Sequence, residues 1–119
     1  MDKPKIEIIE TFDYKGYKCM IKNNSMYNTK LGHIVIPNND KLYNAKWDEI
    51  DINVHGGITF AGELDGEFVI GFDCMHFFDL DMKDNEEDAA KIFECNKTID
   101  YVRQELKNAV EQIIEINNN

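Results

Sequence analysis

The sequence predicts an α+β fold: an antiparallel β-sheet packed by a C-terminal amphipathic helix. Three observations carry that expectation. Residues 58–64 and 67–74 are strand-like runs joined by Asp65-Gly66, and Asp-Gly between β-formers is a strong signal for a two-residue hairpin. Ile99, Val102, Leu106, Val110, Ile113 and Ile114 recur at three- and four-residue steps, which puts them on one stripe of a helix. The chain has 119 residues, enough for one domain, here residues 1–119, to bury a core unaided.

The elements follow in order. Residues 4–10 (PKIEIIE) form a short apolar lead-in with strand character. Residues 12–22 hold aromatics and β-formers around Gly16 and read as strand material. The polar run 23–28 is turn-like. Residues 30–36 (KLGHIVI) form the next strand, ended by Pro37-Asn38-Asn39-Asp40. Residues 42–52 fit an irregular loop with one helical turn. The hairpin, about 57–74, puts Phe60 opposite Gly71 and Thr59 opposite Phe72. Phe68, Ile70 and Phe72 then share one face, and Ile58, Phe60 and Val69 the other, so cover is expected on both sides. Residues 79–88 are an acidic loop and 89–95 a short helix. Asn96 or Thr98 opens the last helix, about 97–116, and the Asn117-Asn118-Asn119 tail frays.

Composition narrows the function classes. Thirteen basic against 23 acidic side chains leave a formal charge of −10, which repels a phosphate backbone. General nucleic-acid binding is therefore not expected. A single small anion held by backbone N–H groups and one or two cations remains compatible. No apolar run approaches the ~20 residues of a membrane span, and the first residues lack a signal peptide's apolar stretch. A soluble, cytoplasmic protein is expected. Cys19, Cys74 and Cys95 contain no CxxC pair, and buried free thiols are the plain expectation.

The residues able to do chemistry gather in two stretches, 54–60 (VHGGITF) and 71–79 (GFDCMHFFD). His55, His76, Asp73 and Asp79 are ligand types for a divalent metal and fit acid–base work, but their spacing matches no metal signature. Structural hydrogen bonding at a sheet end is the plainer reading, and no metal, cofactor or catalytic residue is assigned. Gly56-Gly57 lets a ligand approach the backbone, or simply makes a bulge. Cys74 and His76 share a strand face, yet a buried thiol explains Cys74 as well. The acidic run 79–88 lacks the Gly and Glu positions of a calcium loop. Tyr43, Trp47 and Phe60 are flat rings suited to stacking on a base or to filling a subunit interface. Arg103, the single arginine, is the one side chain able to fork onto a phosphate, or to make a helix-surface ion pair.

The stretches V-H-G-G-I-T-F at 54–60, G-F-D-C-M-H at 71–76 with Asp79, and Asp100-Tyr101-Val102 with Glu105, Leu106 and Gln112 resemble a family of small bacteriophage and prophage proteins. Gly16-Tyr17-Lys18-Cys19 and Leu42-Tyr43 fit the same pattern, and the likeness spans most of residues 12–115. Phe77-Phe78 depart from it, since members often carry Ala-Gly after the histidine. The resemblance implies an anti-defence protein acting in the host cytoplasm. One such class, the sponges, sequesters nucleotide immune signals such as cyclic ADP-ribose derivatives or cyclic dinucleotides, without turnover and as homo-oligomers. On that implication the ligand-binding residues are His55, Gly56, Gly57, Thr59, Phe60, Asp73, His76, Asp79, Arg103, Trp47 and Tyr43. The partner is a small nucleotide ligand, with no membrane involved. Two other classes stay open. An inhibitor that binds a host protein would use the negative charge against a basic target. A hydrolase acting on a nucleotide signal would use the histidines and aspartates.

Overall fold

Two turns set the sheet. The computed structural model describes residues 6–25, 29–54, 57–74 and 99–119. Lys15 and Gly16 have φ of 50° and 89°, and Asp65 and Gly66 have φ of 52° and 83°. Two successive positive φ values are the mark of a type I′ turn, whose twist matches that of antiparallel strands. The first turn joins β1 (Ile6–Tyr14) to β2 (Tyr17–Asn24), and the second joins β4 (Phe60–Leu64) to β5 (Glu67–Asp73). With β3 (Thr29–Val35) they form one five-stranded antiparallel sheet in the order β1-β2-β3-β5-β4. Phe60 pairs with Gly71, as the Asp-Gly turn predicts. The α+β expectation holds: α1 (Ile99–Asn117) closes one face of the sheet.

Alternation sorts the strand residues between the two faces. Cys19, Ile21, Ile34, Ile70 and Phe72 point to the helix and join Val102, Leu106, Ala109, Val110 and Ile113 in the core. A fit this close requires a glycine at position 32. A Cβ there would lie 2.7 Å from the Phe72 ring and 3.0 Å from Leu106 Cδ2. Position 58 departs from expectation. The strand begins only at Phe60, so Ile58 escapes the alternation and packs into the helix-side core.

The segment 36–58 wraps the same side. Its buried Ile36, Leu42, Ile50, Ile52, Val54 and Ile58 complete the core, with one 3-10 turn at Trp47–Glu49. Polar ties hold it to its neighbours. Gln112 receives the Asn53 N–H at 2.7 Å and returns its own amide N–H to the Asn53 carbonyl at 2.9 Å. The Tyr17 hydroxyl donates to Asp40, and the Lys41 N–H donates to Asn117 at 2.9 Å. Among the described residues no helix is long and apolar enough to cross a membrane.

One expectation about cysteines is corrected. Cys19 is free and fully buried, and its thiol is pushed up to about 12 by burial and by Asp13. Cys74 is disulfide-bonded instead of free. Its partner lies outside the described residues, as do the expected acidic loop and short helix at 79–95. The spacing of three cysteines carries no sign of this bond, because a disulfide depends on proximity in the fold and not on separation in sequence.

Candidate functional site

The sheet face away from the helix carries the candidate site. Its central row runs Met20, His33, Gly71 and Phe60 across four strands. Gly71 has no side chain, so the rings on either side meet above it. His33 and Phe60 stack with centroids 5.7 Å apart and planes 25° apart. A Cβ on Gly71 would run into His33 Cδ2 and lie 2.7 Å from the Gly32 carbonyl oxygen.

Beside this stack lies a groove of about 290 Å³. β1 supplies Ile6 and Ile8, β2 supplies Lys22, and β3 supplies Leu31 and His33. Leu64 and Asp65, from the tip of the second hairpin, also line it. Residues of both sheet edges thus line one groove, so the sheet curls about this face. A bulge makes this possible. The β1–β2 register shifts between Ile8 and Glu10, which puts Ile8 opposite Lys22 but Glu10 opposite Ile21. The extra residue turns Ile6 and Ile8 to the groove while Glu10, Phe12 and Tyr14 face the helix.

Two polar groups in the groove are unusual for their burial. Lys22 is only 9% exposed and makes no direct ion pair among the described residues. Burial lowers its ammonium from the ordinary lysine value, and the Asp65 and Glu67 carboxylates partly oppose that shift. His33 is 7% exposed, and its Nδ1 has no hydrogen-bond partner. Burial, and then the Lys22 charge, push the imidazole down to about 4, so it is neutral at physiological pH. Buried polar atoms are nearly always paired, so an unpaired one among the described residues is an exception. The walls oppose this polarity: Ile8 is 59% exposed and Ile6 46%.

The residues singled out from the sequence divide between the faces. Thr59 donates its hydroxyl to Asp73 at 3.1 Å and its N–H to the Gly71 carbonyl at 2.9 Å. Asp73 pairs with Leu31, which pairs in turn with Lys22, so this couple borders the groove. Phe60 borders it through His33. Gly57, with φ of 78°, closes a turn by donating its N–H to the Val54 carbonyl at 2.8 Å. His55, Gly56, His76 and Asp79 lie outside the described residues.

Arg103 and Tyr43 sit on the helix side. The Arg103 guanidinium forks onto both Glu10 oxygens at 2.7 Å and also contacts Asp100. Those bonds raise the guanidinium further and hold the Glu10 carboxyl below its usual range. The Tyr43 ring tilts against Phe68, 5.4 Å between centroids. Trp47 is exposed on the 3-10 turn. Sequence reasoning did not reach Lys22 or His33. The available signals were a histidine inside the apolar run 30–36 and a glycine in mid-strand at 71, which marks a close approach.

Among the described residues no three His, Cys, Asp or Glu side chains are placed to share a metal ion. Compared with known proteins, the chain matches no family model, no curated sequence and no solved structure.

Proposed function

We propose that this protein binds a small nucleotide-derived signal and holds it without turnover, as the sponge class of small phage anti-defence proteins does. The observation that carries the reading is the groove on the sheet face away from the helix, where the buried Lys22 cation and the His33 ring sit between apolar walls. Small-molecule sites combine those features: mostly apolar lining with a few placed polar groups. The cation offsets a phosphate charge, which a chain of net charge −10 otherwise repels. The Thr59–Asp73 couple beside the groove offers an acceptor for sugar hydroxyls. The exposed Ile9 on the edge strand β1 suits self-association, as expected for a homo-oligomeric sponge. The place of action in this reading is the host cytoplasm.

The test is to incubate the pure protein with a panel of nucleotide signals, isomers of cyclic ADP-ribose and cyclic dinucleotides included. Thermal shift is read first, and the nucleotide is then released by heat and analysed. Selective binding to the native state raises apparent stability by mass action. A large shift with intact nucleotide recovered is the expected result. An altered nucleotide would make the site catalytic, and no shift with any nucleotide would refute the reading.

A further inference from the structure

The groove's dimensions and polarity specify more than a generic ligand. We propose that it seats a single nucleoside monophosphate unit, with the phosphate on the Lys22 ammonium and the base along Ile6, Ile8 and Leu64. This rests on the nucleotide-binding reading above and names the part of the ligand that enters.

Three observations converge on it. At about 290 Å³ the groove lies at the small end of ligand pockets, large enough for one nucleotide unit and too small for two. Lys22 is nine-tenths buried with no direct carboxylate partner among the described residues, so an incoming anion relieves a cation that has lost much of its water. His33 is neutral because of its burial and the Lys22 charge, so the positive charge lining the groove is that of Lys22. Asp65, which also lines the groove, accepts from a sugar hydroxyl. A ligand with two nucleotide units would leave its second unit outside the groove, open to another copy of the chain.

The test uses calorimetric titration of the full chain with AMP, adenosine and inorganic phosphate. Wild type is compared with Lys22→Met and with Ile8→Asp. Lys22→Met keeps the buried stem and removes the charge. Ile8→Asp alters an exposed wall and leaves the core alone. The expected result is AMP bound at least tenfold more tightly than adenosine, and at least tenfold weaker AMP binding in each variant. AMP affinity unchanged by both substitutions overturns the proposal. So does a wild-type protein that ignores AMP but captures a larger nucleotide signal with no dependence on Lys22, a result that leaves the sponge reading standing. Failure of every nucleotide to bind removes both.

Discussion

Acidification is expected to destabilise this protein through His33 in particular. The imidazole stands at about 4 in the folded chain against 6.5 when free. Because the folded value is depressed, the unfolded chain binds more protons between those limits, and stability rises with pH. The contribution is fully present above the unfolded value and is lost as pH falls towards the folded one. Between about pH 7.5 and pH 5 the linkage relation gives a loss of about 2 kcal/mol from this one side chain. Continued through the folded value, it approaches about 3 kcal/mol, since each pKa unit is worth about 1.4 kcal/mol. The assay is urea unfolding at a series of pH values for wild type and His33→Asn. The substitution shifts absolute stability, so the quantity compared is the slope against pH. The other two histidines are common to both proteins, so they do not enter the comparison. Wild type should lose about 2 kcal/mol more than the variant over the window. Equal losses would refute the account of His33 as a buried neutral ring.

Other consequences concern packing and redox state. Gly32→Ala places a Cβ against Phe72 and Leu106 and should cost about 1–3 kcal/mol by overpacking, read as a lower urea midpoint. Leu106→Ala empties a fully buried site and should cost about 2–5 kcal/mol. Combined with Gly32→Ala it should cost less than the two added, because the vacated space admits the new methyl. Thiol titration of the unreduced, denatured chain should find one free thiol of the three cysteines, Cys19, and three after reduction. Gln112→Ala removes both bonds to Asn53 and should speed amide hydrogen exchange at Asn53 while helix exchange stays slow.

The legible parts of this fold are those with short-range causes. Asp65-Gly66 sets its own turn and, through it, the register of β4 and β5. The helix shows in the repeat of its buried residues, and the strand at 29–35 in its β-branched run. The first hairpin was harder to see. Lys15-Gly16 is a less usual turn pair than Asp-Gly, so the stretch read as strand material around a glycine. The groove was least visible. It depends on a bulge at Ile9, on sheet curl, and on strands far apart in sequence, none of which leaves a local pattern. The aromatics and Arg103 were chosen by residue type, and type does not reveal the face of a sheet. Arg103 turns to Glu10 and Tyr43 to Phe68 on the helix side, while Phe60 turns to His33 on the other.

The bare backbone at Gly71 constrains how this protein can vary through time. His33 and Phe60 belong to strands that are not neighbours, and they touch only because nothing stands between them. A methyl at position 71 collides with the imidazole and with the Gly32 carbonyl oxygen. A smaller residue at 33 would relieve only the first clash and would leave the Phe60 ring without its stacking partner, while the Gly32 carbonyl oxygen would still lie 2.7 Å from the new carbon. The glycine is therefore held by backbone as well as by ring. In lineages descended from this chain the glycine should outlast changes at 33 and 60, with variants that lack it selected against.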